Sequence, residues 1–287
     1  MASFDEYLQH QHLAASTAQT YQRSVRRLRA WMRSEGIEPE ELSYRDLVAY
    51  LRSLAVSSRT KNAHLTAVRH WMRWLVEEGY REDNPATGLV VRGERRRLPH
   101  DLLSEEQLGE LYQSYAATTP ARQRNKAMLG LLVYQALITS ELARLETHDV
   151  DLDGGLLTVP GSRQSEGRLL WLDGKQVLAL HRYLTEARPA LLRETGKDTN
   201  RLFISAGSGE RLQNALAILM RELRRRHVWF RSARQLRASR LALWLRAEHL
   251  REVQHKAGHR FVSSTERYQA ADLDRLLASL SKHHPLR

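Results

Sequence analysis

The sequence predicts a mainly α protein of two domains, an N-terminal four-helix unit followed by a mostly helical domain with a small β-sheet. Three observations carry this prediction. A chain of 287 residues is long enough for two domains, each with its own core. Leu, Ala and Arg dominate, whereas Gly (15) and Pro (7) are scarce, a composition that favours helix over sheet. Apolar residues recur at helical intervals along most of the chain, and strand-like text is confined to one short stretch.

In the first domain, Phe4, Leu8, Leu13, Tyr21, Val25, Leu28 and Trp31 follow a helical period over residues 3–30, with Ser16-Thr17 expected to divide the run into two helices. The stretches 44–54 and 58–78 continue the pattern, the longer one through Val68, Trp71, Met72, Trp74 and Leu75. Gly79-Tyr80 close this unit, which is expected to span 1–89. Asn84-Pro85-Ala86 and residues 90–103, which hold Pro99, a glycine and the triplet Arg95-Arg96-Arg97, lack periodicity, and 90–103 reads as a linker. In the domain expected over 104–287, Ser104-Glu105-Glu106-Gln107 is a capping box opening a helix. Helices are expected at 121–134 and 140–145, strands of a hairpin at 152–160 and 168–172, then helices at 173–187, 213–227, 233–246, 249–256 and 272–281. No internal repeat or low-complexity segment is present.

The formal net charge is +12, and its distribution matters more than its sum. Residues 201–287 carry 18 Lys and Arg against 7 Asp and Glu, whereas 101–200 carry 11 against 14. A basic field concentrated in one region attracts polyanions, of which nucleic acid is the commonest; a merely solvated basic face is the alternative on charge alone. Arg outweighs Lys there, which favours forked contacts to phosphate. In the first domain Arg23, Arg26 and Arg27 lie at i, i+3 and i+4, and Ser58, Arg59, Thr60, Lys61 and His64 gather at a helix start, a natural place for a phosphate contact. There is no cysteine, which removes disulfides and thiolate metal sites and fits a reducing cytosol. No apolar run approaches a membrane span and the first residues lack a signal-peptide pattern, so a cytoplasmic, nucleoid-associated protein is expected.

The most informative constellation lies near the end. Gln235-Leu236-Arg237 is followed 22 residues later by His259, after a glycine, and nine residues after that by Tyr268. An arginine to hold a phosphate, a histidine on a turn and a phenol as nucleophile are the parts of a phosphodiester-cleaving site.

With these residues the chain resembles the tyrosine recombinase (phage integrase) family, of Xer-like type, along its whole length. STAQTYQRSVRRLRAWM and SSRTKNAHLTAVRHWMRWLVEEGYREDNPA are similar to its SAM-like core-binding domain, YQALITSELARLETHDVDL to the segment of its first catalytic arginine, VPGSRQSEGRLLWL to its lysine-bearing hairpin, and SARQLRASRLALWL with AGHRFVSSTERY to its His-x-x-Arg and Tyr segments. The resemblance implies a protein that clamps double-stranded DNA between two domains, uses arginines where other enzymes use a metal, and needs no metal or cofactor. It also implies that the helix at 272–281 mediates self-association or packs on a partner recombinase.

Matched position by position, Arg237, His259 and Tyr268 fall where the family has its second arginine, histidine and nucleophile. Ile138 falls at the first arginine, Ser162 at the hairpin lysine, with Arg163 its neighbouring cation, and Arg234 at the histidine of His-x-x-Arg. Removing one preorganised charge donor costs roughly 10²–10³ in rate. The resulting expectation is a DNA-binding family member impaired in cleavage, an accessory or regulatory subunit in recombination or integration. The alternatives are an active recombinase linking DNA through a 3′-phosphotyrosine at Tyr268, and a basic helical nucleic-acid-binding protein unrelated to recombination.

Overall fold

The computed structural model describes residues 3–92, 101–163, 165–205 and 212–269. The chain divides into two compact units, Met1–Arg96 and Arg97–Arg287. Arg95, Arg96, Arg97 and the stretch 272–281 lie outside the described residues.

The first unit consists of α1 (Phe4–His10), α2 (Ala15–Glu35), α3 (Tyr44–Ser53) and α4 (Ser58–Glu77). Capping boxes open α1 through Ser3 and Glu6 and α3 through Ser43 and Asp46, while the Ser57 hydroxyl accepts the Thr60 N–H at α4. Val25, Leu28 and Met32 of α2 pack with Val68, Trp71, Met72 and Leu75 of α4 into one core. The break between the first two helices is not at Ser16-Thr17, as expected. It falls at 11–14, where His12 adopts a positive φ of 49°. Ser16 and Thr17 stand inside the first turn of α2, where hydroxyl residues are well tolerated because the first N–H groups lack intrahelical partners.

The second unit begins with α5 (Glu105–Gln113), opened by the expected Ser104–Gln107 capping box, and α6 (Pro120–Tyr134), a helix buried nearly all round through Met128, Leu129, Leu131, Leu132 and Val133. A short α7 (Thr139–Leu142) leads to a three-stranded antiparallel sheet ordered β1 (Val150–Asp151), β2 (Leu156–Val159) and β3 (Arg168–Trp171). The strand expected over 152–160 is therefore shorter, and a separate strand precedes it: Asp151 accepts the Gly154 N–H at 2.9 Å and Gly155 takes φ 63°, making a turn of what reads as strand.

Next come α8 (Gly174–Arg182) and α9 (Arg188–Thr195), joined by a wide π turn over Tyr183–Ala187. The sequence reading ends this helix at 187, before Pro189. The wider turn lets the chain continue, with the proline in the first turn of α9, where its missing N–H costs little. α10 (Gln213–Arg226), α11 (Ala233–Ala247), α12 (Leu250–Ala257) and α13, described over 263–269, complete the unit. Among the described residues no helix is long and apolar enough to cross a membrane.

Candidate phosphate-binding site

Four segments of the second unit meet around Arg237. Past the end of α6, Ala136 takes a left-handed φ of 51°, and its carbonyl accepts an Arg237 N–H. The other arm of Arg237 donates to the Ala257 carbonyl at 2.7 Å. Its guanidinium also interacts with the Tyr268 hydroxyl. Serine capping of α11 by Ser232, together with burial of Leu236, Ala238 and Leu241, fixes the rotation of the helix that presents Arg237.

α12 ends at Gly258, whose φ of 66° turns the chain so that His259 leaves the helix. The His259 ring stacks on Tyr268 with centroids 5.9 Å apart and planes 16° from parallel, and its Nδ1 lies 2.9 Å from the Thr265 hydroxyl. Burial, followed by the fields of Arg237, Arg168 and Arg267, lowers the His259 pKa to about 4. The imidazole is therefore neutral at physiological pH, a hydrogen-bonding group rather than a cation. The structure thus brings Arg237, His259 and Tyr268 together.

The other matched positions differ. Ile138 is the N-cap residue of α7, and its backbone N–H donates to Glu141 at 2.9 Å. Ser162 is turned in on its own loop: its hydroxyl lies 3.0 Å from that of Ser165 and its carbonyl accepts from Arg260 at 2.8 Å. Arg163 and Arg234 are exposed. Among the described residues no group of three or more His, Cys, Asp or Glu side chains is placed to hold a metal ion.

Beneath the site lies a feature that sequence reading missed. Arg168 and Glu141 form a bidentate ion pair at 2.8 and 3.1 Å, both side chains 0% exposed, and Arg168 Nε donates to the Lys256 carbonyl at 2.8 Å. Burial opposes ionisation of Glu141. The Arg168 hydrogen bonds and charge, the Ile138 N–H and Arg237 outweigh it and hold the carboxyl below its usual range. A pair 27 residues apart leaves no periodic signal; a lone arginine opening a hydrophobic strand was the available clue.

In the first unit Arg23, Arg26 and Arg27 are exposed, as are Arg59 and Thr60, with Ser58 and Lys61 half-buried. His64, expected on this polar face, is instead 9% exposed, with Nδ1 3.4 Å from the Tyr50 hydroxyl. Burial and the neighbouring Arg27 charge depress its pKa. It packs in the helix interface, because it lies on the same face of α4 as the buried Val68, Trp71 and Leu75.

The second unit thus sets a phenol, a neutral imidazole and a buried arginine side by side. Comparison with known proteins names the class: residues 101–275 match the phage integrase family and residues 1–83 its N-terminal SAM-like domain, and the chain belongs to this family. It is similar to the tyrosine recombinase XerC of Oceanobacillus iheyensis, with 29% identity over 99% of this chain and 95% of that protein. The tyrosine recombinase XerD of Vibrio vulnificus is 29% identical over 95% of this chain and 90% of that one. The fold is shared with XerH recombinase bound to a palindromic difH substrate in a post-cleavage complex, with a TM-score of 0.72 and 17% identity over 98% of this chain and 85% of that one.

Proposed function

We propose that this protein binds double-stranded DNA at specific sites and acts in recombination as an accessory or regulatory subunit, with its own cleavage chemistry impaired. Family membership and relatives named as recombinases support the DNA-recombination setting. The observation that carries the impairment is the state of the hairpin loop. At the position matched to the leaving-group lysine stands Ser162, and both its hydroxyl and its carbonyl are engaged within the fold. An alkoxide leaving group needs a proton donor, and a serine hydroxyl is a far weaker acid than an ammonium. At the first-arginine position Ile138 offers no donor from its side chain, and the buried Arg168 is fully committed to Glu141. Losing one such donor typically costs about 3–4 kcal/mol of transition-state stabilisation, and two losses exceed what Arg237 alone restores.

What remains suits gripping rather than cutting. Arg237 keeps a guanidinium beside Tyr268 while both its arms donate to the Ala136 and Ala257 carbonyls, and Arg23, Arg27, Arg59 and Lys61 present charge along the first unit. Assembly with a second copy or a partner recombinase through 272–281 completes the proposal.

The test begins with duplexes selected by the protein from a random-sequence pool. A discrete footprint with steep salt dependence is expected, and a nicked suicide version of the selected duplex should trap no covalent adduct. A trapped adduct lost in Tyr268→Phe would show a working recombinase instead. Sequence-blind or absent protection would remove site-specific binding. Combining Ile138→Arg, Ser162→Lys and Arg234→His should restore measurable cleavage on an otherwise intact scaffold.

A further inference from the structure

We infer that Arg260 clasps the hairpin loop onto the turn that carries His259, an autoinhibitory contact that holds position 162 in a self-bonded conformation from which its side chain cannot serve a phosphate. The inference rests on the proposed impairment of cleavage at Ser162 and adds a conformational restraint to the chemical one.

Contacts in both directions join the two segments. From the turn after α12, Arg260 Nη2 donates to the Ser162 carbonyl at 2.8 Å, and its Nε lies 3.4 Å from a Glu166 carboxylate oxygen. From the hairpin, the Glu166 N–H donates to the Gly258 carbonyl at 3.0 Å, and Arg168 Nε donates to the Lys256 carbonyl at 2.8 Å. The ion pair joins side chains that are 44% and 60% exposed, so screening leaves it little weight. The bond from Arg260 to the Ser162 carbonyl is charge-assisted and carries more. Arg260 acts from outside the hairpin, so its removal leaves the hairpin's own sequence intact.

The loop that Arg260 holds is also closed on itself. The Ser162 N–H donates to the Ser165 carbonyl at 2.7 Å, the Ser165 N–H donates to the Ser162 hydroxyl at 3.1 Å, and the two hydroxyls lie 3.0 Å apart. Ser165 is buried. At the base of the loop Gly161 and Gly167 stand back to back: a Cβ on Gly161 would lie 3.0 Å from the Gly167 nitrogen, and one on Gly167 3.1 Å from the Gly161 nitrogen. The side chain at 162 is thereby directed into the loop, while Arg260 fixes the carbonyl of the same residue from the other segment. A lysine placed at 162 would inherit this closed conformation. Restoring the chemical group therefore leaves the clasp in place, and freeing the loop from Arg260 gives position 162 its reach.

The test has two arms. NMR-detected hydrogen exchange of the Glu166 amide, whose proton bridges to Gly258, compares the unaltered protein with Arg260→Ala. Loss of a charge-assisted bond should speed that exchange roughly tenfold while the amides of α6 stay unchanged. The second arm counts adduct per bound nicked duplex for the variant combining Ile138→Arg, Ser162→Lys and Arg234→His, alone and with Arg260→Ala added. Opening the loop should raise the adduct by a similar factor, roughly tenfold, because the open loop is the state that delivers residue 162. Unchanged exchange would overturn the clasp. Faster exchange without a gain in adduct would reduce Arg260 to a structural contact and overturn the autoinhibition, and so would the absence of adduct from both restored proteins. An adduct formed by the unaltered chain would instead strike the impaired-cleavage reading, and the inference would fall with it.

Discussion

Replacing Arg168 with methionine tests the foundation of the site. The methionine fills much of the same volume but leaves the Glu141 carboxylate buried, with its Arg168 partner gone and only the Ile138 N–H and the Arg237 field in support. Since both side chains of the pair are 0% exposed, little solvent screening softens the loss. Orphaning one member of a buried pair costs roughly 3–5 kcal/mol, well above the value of an exposed ion pair. The cost has a pH signature. With Arg168 present, the Glu141 pKa is held low, so its stabilisation is in place above the unfolded carboxylate range and is lost as pH falls through the folded value. Without Arg168, burial dominates and raises that pKa, so the carboxyl protonates more easily and the penalty shrinks in acid. Native-state hydrogen exchange on peptides from the second unit reads this directly and avoids overlap with unfolding of the first unit. A loss below about 1 kcal/mol at neutral pH, or one that grows as pH falls toward 5, would refute the reasoning.

Other outcomes follow from the same geometry. His259 has its pKa lowered to about 4, so as pH falls from about 6.5 the unfolded chain binds the proton first and stability drops, by up to roughly 3 kcal/mol at pH 4; His259→Gln should remove that slope in pH-dependent unfolding. The groups facing this ring are Arg237, Arg168, Arg267, Glu141 and Tyr268. Gly258→Ala should be severe, because the new Cβ would lie 2.5 Å from an Arg168 guanidinium nitrogen at a φ of 66°; a stability loss under about 1 kcal/mol would show that the pair can move aside. In the first unit, Arg23→Gln and Arg27→Gln should each lower the salt slope of duplex binding by about one without changing helix content, whereas an unchanged slope would place DNA on another face.

Much of this architecture is legible in the chain because helices announce themselves through period and caps. Ser3, Ser43, Ser104 and Ser232 all cap as their side chains suggest. Features that depend on backbone geometry are less visible: the helix expected at 173–187 runs on through the π turn at Tyr183–Ala187 into α9, and β1 is two residues long, too short for alternation to register. The same division holds at the site. Arg237, His259 and Tyr268 are fixed in spacing by helices and a glycine turn, so sequence finds them. The Glu141–Arg168 pair is a meeting of two distant segments. His64 shows the converse: its place in the sequence suggests a polar face, and only the packed helices show that it has turned inward.

The central claim, that a grip on DNA persists where the means of cutting it has been reduced, is tested most directly by one reaction. The purified protein is incubated with a nicked form of its selected duplex, and bound and covalently linked DNA are counted in the same sample. The account predicts saturable, salt-sensitive binding with no protein–DNA adduct, and an adduct in the variant combining Ile138→Arg, Ser162→Lys and Arg234→His. Covalent capture by the unaltered chain, lost on changing Tyr268 to Phe, would contradict it.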